Sequence, residues 1–146
     1  MQALVVLVLL HALVAVVWFA FSLRFQVQAT LAADASVPRA AWEGGGRTVT
    51  LMTVFAVVYY ALAVGAFFTG GGFASYSPVY HTALLLGLAF VFVQVLMLQP
   101  AWSKLAAGDL TARKKVAMAL GIMHALWLVQ FVLMFFGRTW MPFWTA

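Results

Sequence analysis

The chain has 146 residues, of which 66% are hydrophobic and only 8% are charged. A soluble domain carries about 25% charged residues, so this composition excludes a soluble globular protein and indicates an integral membrane protein. The absence of cysteine from the sequence excludes disulfides, thiolate metal sites and iron–sulfur clusters. The net charge of +5 is better explained by topology than by nucleic acid, because Lys and Arg gather in the cytoplasmic loops of membrane proteins.

Four apolar stretches predict four transmembrane helices. About 20 mostly apolar residues are needed to cross a bilayer, and residues 48–103, which hold no charged side chain, are too long for one crossing. The glycines at 70–72 divide that stretch in two, and Gly137 is expected to end the last helix. The first helix lacks Lys and Arg ahead of its apolar run, so we expect it to be retained rather than cleaved as a signal peptide. The predicted helices lie at about 3–26, 50–68, 78–98 and 116–137.

These helices and their short connections predict an all-α four-transmembrane-helix bundle, which forms a single membrane domain over residues 1–146. Seven of the eight basic residues flank or lie in the loops after the first and third helices. Those loops are therefore expected in the cytoplasm, with both termini on the non-cytoplasmic side. Aromatic residues at the helix edges are typical of the belts found at membrane–water interfaces. They are Trp102 at the inner edge and Tyr76, Tyr80, Trp140 and Trp144 at the outer edge.

The apolar runs at 3–23, 48–103 and 116–137 contain no Asp, Glu, Lys or Arg, and three histidines are their only ionisable side chains apart from tyrosine. An ionisable residue inside a membrane indicates function by default. With no carboxylate nearby, desolvation keeps such an imidazole neutral, and neutral imidazole is a metal ligand. In a bundle without cysteine, the natural candidates are haem iron and copper, held by side chains on facing helices. The candidate ligands are His11, His81 and His124, two of which would share one iron, and the alternative for each is an interhelical hydrogen bond.

The depth of each histidine restricts the possible pairs. With a rise of about 1.5 Å per residue, His11 lies roughly midway between His81 and His124. Sharing of one iron by His81 and His124 is therefore not expected, whereas both pairs that include His11 stay open. Trp18 follows His11 by seven residues and shares its helix face. It would either wall a flat macrocycle or pack as any apolar side chain does.

Other side chains of the helices have simpler predicted roles. Gln94 and Gln130 are expected to form hydrogen bonds between helices. Met123 and Met134 are either soft metal ligands or ordinary core residues. The basic run at 113–115 is expected to set the topology and to contact anionic lipid headgroups.

Two stretches of the chain carry a more specific pattern. In the first, His11 is followed seven residues later by Trp18-Phe19-Ala20, with Arg24 where the helix leaves the membrane. In the second, Tyr80-His81-Thr82-Ala83 begins the third helix, and Leu105-Ala106-Ala107-Gly108-Asp109 follows that helix. Together these blocks span about half the chain and resemble the HemJ-type protoporphyrinogen oxidases and the related CopD-like membrane proteins.

This resemblance implies a four-helix bundle that binds haem b, oxidises protoporphyrinogen IX and passes electrons to the respiratory chain. By position it assigns the family's cofactor-binding residues to His11, His81 and Arg24. The family's lysine, two residues after its second histidine, is replaced here by Ala83, so enzymatic activity stays open. We expect either a divergent oxidase or a membrane electron carrier in the bacterial inner (cytoplasmic) membrane, with the lipid bilayer and a quinone or porphyrin as partners.

Two other functions are compatible with the sequence. One is a non-enzymatic accessory subunit of a larger respiratory or photosynthetic complex, with its helix faces packed against partners. The other is copper handling, which only the CopD-like resemblance suggests. Apart from these functions, the sequence is also compatible with further copies of the chain as partners in a homo-oligomer. No Gly-rich phosphate loop or catalytic triad is present, and nucleic acid is not an expected partner.

Overall fold

Four helical stretches dominate the computed structural model, which describes residues 2–140 and the side chains of residues 2–134. Each stretch is long and apolar enough to cross a membrane, as the sequence predicts. The stretches are Gln2–Ala32, Arg39–Thr69, Pro78–Ala106 and Leu110–Met134. Their main elements are α1 (Gln2–Ala32), α2 (Gly45–Thr69), α3 (Pro78–Phe92), α4 (Gln99–Ala106) and α5 (Arg113–Trp140).

Most helices are longer than their apolar runs. α1 continues to Ala32 through residues with good helix propensity, and α2 already begins at Gly45. The prediction that Gly137 ends the last helix is wrong, because α5 runs on to Trp140. A glycine ends a helix when its backbone turns left-handed, and Gly137 keeps helical geometry instead.

The third span contains a π turn. Pro78 is the first residue of α3, as predicted, but the helix does not end at Leu98. A π-helical segment, Val93–Leu98, joins α3 to α4, and the combined helix reaches Ala106. Pro100 explains the irregularity, since its ring lacks an N–H and crowds the carbonyl four residues earlier. Such single turns are frequent at functional sites.

The helices pack as an antiparallel bundle. α1 lies against α2 with His11 beside Tyr59 and Leu7 beside Gly65, and α3 packs on α5. In its most apolar part only 11% of α1 is buried, against 28% in each of the other spans. α1 therefore lies at the edge of the bundle and exposes an apolar face, which includes Val5, Leu9, Leu13 and Val16.

The two ends of the bundle differ in character. The basic end consists of the loops at 33–44 and 107–112, and the glycine end consists of the loop at 70–77. At the basic end, hydrogen bonds from the Ser36 hydroxyl and N–H hold the pKa of Asp34 below its usual value. Thr111 does the same for the pKa of Asp109. At the glycine end, the left-handed backbone at 71–72 makes the predicted break between the second and third spans.

Trp102 lies at the basic end of the bundle, but its ring is buried, whereas a residue of an aromatic belt exposes its ring at the surface. Its side chain is 4% exposed and packs edge-on against Phe25 at 5.0 Å and Trp42 at 6.0 Å. The physical reason is Gly45, whose missing side chain leaves room for the indole ring at the start of α2. Of the outer aromatic residues, Tyr76 and Tyr80 are half-buried. Trp144 and the side chain of Trp140 lie outside the described residues.

Replacing Gly45 with alanine tests this contact. A Cβ at Gly45 would overlap the Trp102 ring, which Phe25 and Trp42 hold in place. We expect Gly45→Ala to destabilise the protein by about 1–3 kcal/mol, the usual cost of overpacking, measured by unfolding in detergent. Gly46→Ala is the matched control, because its Cβ would lie 3.9 Å from Trp102 Nε1, in ordinary contact. Equal stability of the two variants would contradict the assigned packing.

Candidate functional site

A cavity of about 570 Å³ opens between the helices towards the glycine end. Its volume lies within the range of about 300–1,000 Å³ that is usual for small-molecule sites. The walls are mainly apolar and aromatic, with a few polar atoms at fixed positions. The lining residues that carry polar or soft atoms include His11, Tyr59, Tyr60, Tyr80, Gln130 and Met134.

His11 is held in one orientation by Tyr59. Its Nδ1 lies 3.0 Å from the Tyr59 backbone carbonyl oxygen, and its ring stacks on the Tyr59 ring with centroids 4.2 Å apart. Because a carbonyl can only accept, Nδ1 carries the proton of the neutral imidazole and Nε2 carries the lone pair. Nε2 has no hydrogen-bond partner among the described residues. His11 is 7% exposed and is one of the residues that line the cavity. The cavity wall therefore includes an imidazole whose Nε2 lone pair is unpaired.

The Tyr59 side chain extends the same network to α5. Its hydroxyl donates to Gln130 Oε1 at 2.7 Å, which confirms that Gln130 forms a hydrogen bond between helices. Gln130 Nε2 is buried and, within the described residues, has no acceptor. Gly87 leaves room for this network, since a Cβ there would lie 3.0 Å from the Tyr60 ring and 3.5 Å from Gln130 Oε1.

Gln94 forms the second predicted hydrogen bond between helices. Its Nε2 donates to Thr53 Oγ1 at 3.0 Å, so that the π turn is tied to α2. Gln94 is completely buried. An unpaired amide in such a place would be costly, so this contact also fixes the position of the turn.

His124 takes part in a structural hydrogen bond. Its Nε2 lies 2.9 Å from Ser22 Oγ, and the Ser22 hydroxyl donates to the Phe19 carbonyl at 2.7 Å. The His124 Nε2–H therefore donates a hydrogen bond to the serine oxygen, and this bond joins α5 to α1. His124 thus forms a hydrogen bond between helices, and it is not among the residues that line the cavity.

The other predicted site residues also lie away from the cavity wall. His81 packs against Phe67 at 5.6 Å and Phe73 at 5.0 Å, and its buried Nε2 lacks a partner in the described part of the chain. Trp18 is 1% exposed and belongs to the core. Arg24 is exposed on α1. Of the five candidates, only His11 lines the cavity.

The histidines lie at different levels of the bundle. His124 contacts Trp18 and Ser22, seven and eleven residues after His11, which corresponds to about 10–16 Å along α1. His81 contacts Phe67, which lies about 12 Å along α2 from the level of His11. Imidazole nitrogens bind metals at about 2 Å, so ligation of one iron by two of these histidines would require the helices to move. It stays a prediction.

The part of the chain that the structure describes also holds no metal site of the usual three-residue kind. No group of three or more His, Asp or Glu side chains comes together within the described residues. Tyr59 was not predicted as a partner of His11. The sequence does contain a clue to a polar role for Tyr59. The tyrosines at 59–60 lie in the middle of a predicted span, whereas membrane tyrosines concentrate at the interfaces.

Comparison with known proteins adds no relative. No family model, curated protein or solved structure matches the chain. The resemblance to the HemJ-type proteins therefore rests on the quoted residues alone. The function has to be inferred from the cavity and its polar network.

A double-mutant cycle tests the hydrogen bond between Tyr59 and Gln130. Tyr59→Phe removes the donor and leaves a buried amide without its partner, which usually costs about 1–3 kcal/mol. Gln130→Leu in the Tyr59→Phe background removes that unpaired amide. We expect an interaction energy of about 0.6–1.7 kcal/mol from unfolding in detergent, as found for hydrogen bonds between membrane helices. Additive effects of the two substitutions would show that the bond contributes no stability.

Proposed function

We propose that this chain is a haem-b-binding membrane protein in which His11 would hold the iron. The observation that carries the proposal is the hydrogen bond from His11 Nδ1 to the Tyr59 carbonyl, which leaves Nε2 as the lone-pair nitrogen of a cavity wall. Metal-binding histidines almost always donate their other N–H to such an acceptor, which fixes both tautomer and ring orientation.

The cavity suits a haem in size and in chemistry. Its volume of about 570 Å³ and its apolar walls suit a flat macrocycle. Imidazole and thioether are both established haem ligands, and Met134 lines the same cavity as His11. We assign Met134 as the second ligand, because neither His81 nor His124 lines that wall. Hydroxyl groups suited to the propionates are supplied near the glycine end by Ser75, Tyr76, Ser77 and Tyr80.

The side chains of the protein would orient the ligand and exclude water. Tyr59 holds the His11 ring through its carbonyl and its aromatic face, while Gln130 holds the Tyr59 hydroxyl. Bound haem would supply one-electron transfer, with a potential set by the axial ligands and the burial of the site. A quinone at the membrane interface is the proposed electron partner.

Ala83 favours an electron carrier over a porphyrinogen oxidase. It stands where the resembling family has a lysine, is buried, and lines the cavity. None of the lining residues of this cavity is Lys or Arg. The cavity therefore offers the imidazole and thioether that haem needs, but not the basic side chain of the family's oxidases. In this proposal the chain spans the bacterial inner membrane, with its basic end in the cytoplasm.

The haem proposal is tested by reduced-minus-oxidised absorption spectra of the protein purified from cells supplied with haem precursors. The wild type is expected to show a Soret band and α/β bands, and His11→Ala is expected to lose them. His124→Ala is the matched control, since it removes an imidazole that bonds to Ser22 outside the cavity. Met134→Leu should keep the haem but shift the spectrum to the high-spin form. A colourless wild type, or full haem retention by His11→Ala, would overturn the proposal.

The second candidate function is that of a non-enzymatic subunit of a larger membrane complex. The exposed apolar face of α1 supports it, because this helix is the least buried of the four spans. If this function is correct, the chain extracted in a mild detergent should co-purify in a fixed ratio with larger membrane proteins. Isolation as a stable monomer or homodimer would count against it.

A further inference from the structure

A second pocket, of about 760 Å³, lies at the opposite end of the bundle. It opens beside the N-terminus of α2 and the side of α4, at the basic end. Its lining is polar as well as apolar and includes Arg39, Gly46, Gln99, Trp102 and Ser103. None of these residues belongs to the haem cavity, so the pocket needs a separate explanation.

Unpaired backbone donors lie at the start of α2, where Gly46 lines the pocket. Gly44 occupies the N-cap position and provides no side chain to cap the helix. The Gly45 N–H bonds to the Trp42 carbonyl and the Thr48 N–H to the Gly44 carbonyl. Between them, the N–H groups of residues 46 and 47 have no acceptor in the described part of the chain. Free N–H groups and the positive end of the helix dipole favour an anion.

Trp102 supplies an independent donor at the same place. The residue is 4% exposed, and its ring packs on Gly45. Its Nε1 lies 3.9 Å from the position that a Cβ of Gly46 would take, beside the free N–H groups. An indole nitrogen can only donate, and this one has no acceptor among the described residues. The ring is buried, but Nε1 is not among the buried unpaired atoms of the described residues, so this N–H is accessible and free to donate to a ligand in the pocket that Trp102 lines.

The charged side chain of the pocket is positive, like the N-terminal end of the α2 dipole. Arg39 lines the pocket, with its guanidinium carbon 5.9 Å from the centre of the Trp42 ring. No carboxylate pairs with Arg39 in the described structure, and no Asp or Glu lines the pocket. The Ser103 hydroxyl is already engaged with the Gln99 carbonyl. The free groups of the lining that can donate are the Arg39 guanidinium, the Nε2 group of Gln99, the Trp102 indole and the backbone N–H of Gly46.

We propose that this pocket binds a phosphate group that carries negative charge. A planar guanidinium matches the oxygens of phosphate in two parallel hydrogen bonds, and a helix N-terminus is a common phosphate site. The phosphate comes from the headgroup of an anionic phospholipid or from a free phosphate ion. The site is independent of haem, because its residues and those of the cavity do not overlap.

The test compares Arg39→Gln with Arg47→Gln in the full chain, purified in detergent and freed of lipid. Both variants lose one positive charge at the basic end, but Arg47 is not among the residues that line the pocket. The probes are a short-chain phosphatidylglycerol, a short-chain phosphatidylcholine and sodium phosphate. Their binding is followed by calorimetry and by the shift in melting temperature.

The proposal expects phosphatidylglycerol or sodium phosphate to bind the wild type more tightly than phosphatidylcholine does. Arg39→Gln should weaken that binding roughly tenfold, in keeping with the loss of a charged hydrogen-bonding group, while Arg47→Gln stays close to the wild type. Preference for the lipid identifies a headgroup site, and equal binding of sodium phosphate identifies a phosphate-ion site. Equal losses in both variants, or no preference for the anionic probes, would overturn the proposal.

Discussion

The hydrogen bond between His11 and the Tyr59 carbonyl is the contact on which the candidate site depends. It joins α1 to α2, while the hydroxyl of the same tyrosine joins α2 to α5 through Gln130. In an apolar interior each of these polar groups would be expensive to leave unpaired. Three helices are thus held in one relative position by side chains that also form the wall of the cavity. Structure and proposed function rest on the same few atoms.

The positions of the helices followed from the sequence, but their contacts did not. Charge-free runs of sufficient length and the glycines at 70–72 were enough to find four spans, because hydropathy and chain breaks are local properties. The spans are apolar all round, so no periodic stripe tells which face packs inward. This explains why the depth of His11 was a useful clue, whereas its stacking on Tyr59 was not foreseen.

The errors have physical causes as well. Trp102 was predicted in an aromatic belt because tryptophan near a helix end usually lies in one, but its ring is buried, since a glycine far away in sequence leaves space for it. The end of α5 was predicted at Gly137 because glycine often terminates helices. That effect requires a left-handed backbone, which cannot be read from residue type alone. In both cases the outcome depends on surroundings that only the folded chain provides.

The π turn at Val93–Leu98 lets the two halves of the third span pack against different neighbours. An α-helix turns by about 100° per residue, and a π turn takes in one residue more than an α turn. The azimuth of α4 is therefore offset from that of an uninterrupted helix. With this offset, the glycine-end half of the span faces the cavity with Ala83 and Gly87, and the basic-end half faces α2 with Trp102. The π turn therefore rotates the packing face of α4 relative to that of α3 within one continuous helix.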